Sequence, residues 1–178
     1  MTGPAFGNAP RASAEIGQDH RVAKPCRVCG EERDLVLTCS LAGQSEHARV
    51  ELIAFPYRTC RQEHEKVYVY PDFGSDLHAF LFDGPGLTLT RQKRRLLGGP
   101  EVCGICNTTV PRDAVEQNHE FASQPKLGSA PEFTLRCTLP AVVCSKCGTP
   151  QLRLTRLGAI DPLQAFVEAF ESAGIRPS

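Results

Sequence analysis

Apolar residues in this chain fall in short runs broken by turn-forming residues. Leu35-Val-Leu-Thr-Cys39 and Arg49-Val-Glu-Leu-Ile-Ala-Phe55 are rich in β-branched and aromatic residues, with a polar stretch over 40–47 between them. That pattern predicts a hairpin ending at Pro56. Val67-Tyr-Val-Tyr70 reads as another strand, and Pro71-Asp-Phe-Gly74 as a turn. Leu77–Phe82 and Leu87–Thr90 flank Asp83-Gly-Pro-Gly86 and predict a second hairpin with a Gly-rich connection. Phe133–Leu139 alternates as a strand does, and Gln151–Thr155 reads as one more strand. Asp113–His119 suits a short helical turn.

One stretch carries clear helical signals. Asp161 is suited to cap a helix, Pro162 to its first position and Gly174 to its end. Leu163, Phe166, Val167 and Phe170 recur at helical spacing. This face is expected to cover the sheet of the second half, the alternative being a docking or dimerisation surface.

The cysteines turn these strands into an architecture. Cys26-Arg-Val-Cys29, Cys103-Gly-Ile-Cys106 and Cys144-Ser-Lys-Cys147 are Cys-x-x-Cys knuckles, in which two intervening residues let a tight turn aim both sulfurs at one point. Cys103, Cys106, Cys144 and Cys147 have the spacing of a four-cysteine zinc site. Gly148 suits a turn needing positive φ, and Gly30 holds the same place after Cys29. Cys26 and Cys29 lack a second knuckle. Cys60 and His64, with three residues between them, are the expected closing pair, with Cys39 and His47 the competitors for the last position. Cys39 lies within a strand pattern, where a lone cysteine packs as a small hydrophobe. His47 lies in a charged loop. Cys137 stands as far from Cys106 as Cys60 does from Cys29, which makes it an alternative ligand to the second knuckle.

Each half thus has a Cys-x-x-Cys, a strand-containing insert and a second ligand pair, an arrangement that looks like two zinc ribbons in tandem. The expected fold is mainly β with small α content: two zinc-ribbon-like modules of short antiparallel strands and one C-terminal helix. The expected divisions are a disordered tail over 1–22, a first module over 23–75, a hairpin and basic linker over 76–100, a second ribbon over 101–157 and the helix over 158–178. Two Zn2+ ions per chain are expected. A four-cysteine set also suits iron, although rubredoxin-type iron sits in a shorter insert.

Two resemblances bear on function. Leu139-Pro-Ala-Val-Val-Cys-Ser-Lys-Cys-Gly148, with Leu152 following, resembles the second knuckle of YgiT-type zinc fingers, found in bacterial MqsA-like antitoxins. The resemblance implies metal ligation by Cys103, Cys106, Cys144 and Cys147. In that family a helix-turn-helix DNA-binding domain follows the ribbon, and residues 158–178 are too few for one. His119 stands where zinc-framed nucleases of the His-Asn-His type place a catalytic His. That family also has Asp before the His, where this chain has Asn118. It has an Asn and a His near the last knuckle, where Thr149-Pro-Gln-Leu152 supplies neither. No catalytic residue is therefore assigned.

Composition narrows the rest. The chain has 178 residues, nine cysteines, no Trp and zero formal net charge. An odd cysteine count with paired knuckles favours reduced, metal-binding thiols over disulfides. No signal-peptide-like or membrane-spanning apolar stretch is seen, so a cytoplasmic protein is expected. The one dense basic run, Arg91, Lys93, Arg94 and Arg95, would be the nucleic-acid contact if there were one, but zero net charge favours a solvated linker and a protein partner. The expected role is non-catalytic: a zinc-binding interaction or assembly module. A DNA-binding regulator and a thiol-based zinc redox switch are the alternatives.

Overall fold

The computed structural model describes residues 24–93 and 99–177. The expected tail over 1–22 lies outside them, as do Arg94 and Arg95. In chain order the elements are β1 (Leu35–Gln44), β2 (Arg49–Thr59), β3 (Lys66–Val67), α1 (Phe73–Phe82), β4 (Arg91–Gln92), β5 (Glu101–Val102), β6 (Gln117–Ser123), β7 (Thr134–Val143), β8 (Pro150–Gln151), a 3-10 turn (Leu154–Arg156), α2 (Leu157–Ile160), α3 (Pro162–Ser172) and β9 (Ile175–Arg176). The fold is mainly β, with 34% of the described residues in strands and bridges and 19% in helices.

The two halves share one sheet. β1 and β2 form an antiparallel hairpin from Leu35↔Thr59 to Gln44↔Arg49. β6 and β7 form another from Gln117↔Ala141 to Ser123↔Leu135. β2 then pairs antiparallel with β7 from Arg49↔Thr138 to Ile53↔Thr134. The central order is therefore β1-β2-β7-β6, extended by β3 on β2 and β9 on β3.

The register shows how the halves relate. Val50↔Cys137 and Leu52↔Leu135 are mirror partners about Glu51↔Arg136. Ala42 and Ala122 face Glu51 and Arg136 from the outer strands, and Thr38↔Pro56 matches Asn118↔Pro140. A pseudo-twofold axis through Glu51 and Arg136 thus relates the two hairpins. One residue breaks it. Between Cys39↔Phe55 and Leu41↔Leu52 the register shifts, so Ile53 and Ala54 together oppose Ser40. Ala54 sits at φ 58 in this bulge, and β2 bends there. β6 and β7 pair without a shift.

Phe55 sits at the centre of the core, fully buried. Its ring lies 5.3 Å from those of Phe73 in α1, Phe133 just before β7 and Phe170 in α3. α3 lies across β1 and β2, so the C-terminal helix covers the first hairpin, not the second. Gly43 permits this, because a Cβ there would collide with the Ala165 carbonyl. The helix turns small and aromatic residues inward, burying Ala165, Phe166, Ala169 and Phe170, while Leu163 and Val167 are exposed. The expected capping holds: the Asp161 carboxylate accepts from Gln164 N at 3.2 Å, with Pro162 in the first turn.

Three local expectations are corrected. Leu77–Phe82 belongs to α1, because Phe73, Leu77 and Leu81 line up at helical spacing and bury together. The expected second hairpin is therefore absent. His119 lies in β6 opposite Leu139, not in a helical turn. The strand expected over 151–155 stops at Gln151, followed by a Leu89↔Leu152 bridge and then the 3-10 turn.

Candidate metal centres

The ligand sets gather at the two far ends of the sheet. Cys60 follows β2 and Cys144 follows β7. Because those strands run antiparallel, the sites lie on the order of 50 Å apart along the strand path. The first holds Cys26, Cys29, Cys60 and His64; the second holds Cys103, Cys106, Cys144 and Cys147. In each set all four donor atoms lie within 4.8 Å of one another. The competitors lie elsewhere. Cys39 faces Phe55 across β1, and His47 sits at the hairpin tip, 3.7 Å from Glu46. Cys137 is buried between Val50 and Phe121, and burial pushes its thiol up to about 12.

The three knuckles share one backbone design. Gly30, Asn107 and Gly148 donate their N–H to the carbonyls of Cys26, Cys103 and Cys144, at 2.9, 3.0 and 2.9 Å. All three sit at positive φ: 75°, 58° and 70°. In the first site's closing turn, Glu63 takes that role at φ 53°, donating to the Cys60 carbonyl at 2.9 Å.

The second site fits a tetrahedral metal. Cys103 Sγ lies 3.7 Å from Cys147 Sγ, and Cys106 Sγ lies 3.6 Å from Cys144 Sγ. A tetrahedron with zinc–sulfur bonds of about 2.3 Å has sulfur–sulfur edges of about 3.8 Å. A disulfide would need about 2.05 Å.

Supporting contacts shape the sulfurs. Buried Gln151 donates to Cys103 Sγ at 2.9 Å, while its carbonyl accepts from Gly104 N at 2.7 Å. Burial works against the Cys103 thiolate, but the N–H groups of Cys106 and Ile105 and the Gln151 amide outweigh it, and the thiol falls to about 6. Thr108 lies 3.2 Å from Cys106 Sγ, and Thr149 lies 3.4 Å from Cys147 Sγ.

At the first site burial likewise opposes the Cys60 thiolate, and the N–H groups of His64 and Gln62 bring it down to about 7. Glu65 ties the two arms together. Its carboxylate accepts from Arg27 N at 2.7 Å and from the buried Arg33 guanidinium. Arg33 and Arg27 hold its pKa near 2.

These supporting residues were not singled out from sequence. The threonines left a signal, since each stands two residues after the second cysteine of its knuckle. Gln151 and Glu65 left none.

One cleft of about 580 Å³ lies beside the second site, with Gln92, Arg112, Glu116 and Arg156 among its walls. Its floor is the buried Arg153, whose guanidinium lies 2.7 Å from Glu101 and 3.2 Å from Glu116 and also donates to the Pro111 carbonyl at 2.6 Å. Every nitrogen of that guanidinium has a partner, so the floor is a staple between β5 and the segment after β8. No helix among the described residues is long and apolar enough to cross a membrane. Comparison with protein families, curated proteins and solved structures returned no match for this chain. What the geometry establishes is two Cys/His centres able to hold metal ions, in zinc-ribbon-like settings at opposite ends of one sheet.

Proposed function

We propose that the chain is a non-catalytic zinc protein that serves as an interaction or assembly module. The observation that carries this reading is closure: each centre brings four protein donors together, the number a structural zinc site uses. A catalytic zinc keeps one position for water or substrate. Bound zinc would replace the stabilisation that a larger core would supply, holding each hairpin end while leaving the sheet's outer surface free. The resemblance of 139–148 to YgiT-type fingers supports zinc as the metal.

Native mass spectrometry with elemental analysis should give two zinc ions per chain. X-ray absorption at the zinc edge should then show sulfur and imidazole nitrogen only. An oxygen ligand at either zinc overturns the closed reading. Retention on heparin that falls steeply with salt would favour a nucleic-acid role instead.

A thiol-based zinc switch is the second reading, favoured by the exposed Cys147. Oxidation of two ligand thiolates by one peroxide, with two protons taken up, would give one disulfide and two waters and release the metal. Zinc release by dilute peroxide that a thiol reverses would support it.

A further inference from the structure

The pseudo-twofold makes β1 and β6 equivalent edges, yet the two edges differ in chemistry. β6 carries His119 and Glu120 in seven residues. β1 is ten residues long, Leu-Val-Leu-Thr-Cys-Ser-Leu-Ala-Gly-Gln, with no charge and no proline. Ser40 stands where β6 has Glu120. Natural sheets protect their edges with charges, prolines or covering elements, because an unpaired row of N–H and C=O groups templates another strand.

The bonding direction of β1 follows from its hairpin turn. Ser45 N donates to the Ala48 carbonyl at 2.8 Å, so Gln44 directs its amide away from β2. That outward N–H is taken by Glu168 of α3 at 2.7 Å. By alternation Val36, Thr38, Ser40 and Ala42 also point outward. Among the described residues β1 has β2 as its one strand partner. Glu168 therefore closes the C-terminal end of this edge and, among the described residues, leaves Val36–Ala42 open.

That open edge is self-complementary. Pairing it antiparallel about Thr38 sets Val36 opposite Ser40, Leu35 opposite Leu41 and Leu37 opposite Cys39. Residues 35, 37, 39 and 41 share the core-side face, where Leu35 is 36% exposed, so apolar meets apolar and no like charges face each other. The three central facing pairs supply about six backbone hydrogen bonds, two per pair. A twofold contact of this kind uses one surface twice and closes on itself.

We propose that the outer edge of β1 pairs antiparallel, about Thr38, with the same edge of a second copy of this chain, joining the two sheets into one. This names a partner for the assembly reading and rests on it. The test is sedimentation velocity on the full zinc-loaded chain with zinc content read in the same samples, so that failure of the metal reading and failure of the dimer are told apart. The wild type should be a dimer. Ser40→Glu, which copies the β6 edge, and Thr38→Lys, which sets two cations face to face, should each weaken the dimer by about tenfold or more. Both should keep two zinc ions and an unchanged far-ultraviolet spectrum. Glu120→Ser on β6 should leave the dimer as it is. A wild type that stays monomeric to about 100 micromolar overturns the proposal and leaves the edge to a strand from another protein. A dimer that survives both β1 substitutions overturns it equally.

Discussion

At one end of the sheet a single turn closes the site, with Cys60 and His64 facing one knuckle. At the other, two knuckles face each other. The burial order of the ligands is nevertheless the same: the first of each pair is buried, the second of the opening pair half-buried and the last ligand exposed. The supports differ. The first site is braced by charge, through Glu65, Arg33 and the Arg27 amide. The second is braced by neutral groups, the Gln151 amide and two threonine hydroxyls. The hairpins behind them differ as well, one bulged and covered by a helix, the other regular. The comparison teaches that the hairpin-and-knuckle frame sets the site, while the donors and their braces can change around it.

Ligand removal tests that view most strongly. Cys60→Ser and Cys144→Ser should each cost one metal and spare the other. Structural zinc contributes about 10–16 kcal/mol in small modules, so hydrogen exchange should show lost protection at the mutated end first. Loss of both metals from either variant would mean the ends are not independent.

Gly43→Ala comes next. With α3 pressed on that backbone, the added methyl should destabilise by about 2–3 kcal/mol in denaturant unfolding. Ser123 holds the equivalent position on β6, and among the described residues no helix lies across β6 as α3 lies across β1, so Ser123→Ala should change stability by about 0.5 kcal/mol or less.

The braces should act locally. Glu65→Gln should weaken metal binding at the first site about 10–100-fold, and Gln151→Ala should do the same at the second, each leaving the other site unchanged in competition with a chelator. Acid should separate them too. Both Cys60 and Cys103 titrate below the ordinary thiol value of 9.0. The contribution of each thiolate is thus present at alkaline pH and is lost as pH falls through the folded value, near 7 for Cys60 and near 6 for Cys103. In the metal-free chain the Cys60 thiol should therefore take up its proton at a higher pH than the Cys103 thiol, which thiol titration followed by thiolate absorbance would show.

The smallest effect concerns the bulge. Ala54 pays the steric cost of the left-handed region, so Ala54→Gly should stabilise by about 0.5–1 kcal/mol. A loss of stability would show that the Ala54 methyl packs in a way its exposure does not suggest.

Six of the eight gathered donors were legible as knuckles, because two residues between cysteines suffice to aim both sulfurs, while Cys60 and His64 were legible only as a Cys and a His close enough in sequence for one short turn. The hairpin strands were legible for the same reason, in the β-branched runs around 35–39 and 49–55. α1 was not, because Leu77–Phe82 is apolar on successive residues and the Gly-Pro-Gly after it mimics a hairpin turn. The helical spacing emerges only when Phe73 is counted in, and Pro71–Gly74 reads as a turn. The docking of α3 on the first hairpin was hidden too, since it depends on the absence of a side chain at Gly43, far away in sequence. The joining of the halves through β2 and β7 has no local signature at all.

That central seam has a consequence for the newborn chain. It joins Arg49 to Thr138 and Ile53 to Thr134. The first hairpin, with every donor of its metal centre, leaves the ribosome before β7 exists. At about 5–20 residues per second, the inner edge of β2 waits roughly 4–16 seconds for its partner. During that interval the first hairpin has both of its strand edges open instead of one, and crowded translation of the same message would expose copies to one another at the moment they are least guarded.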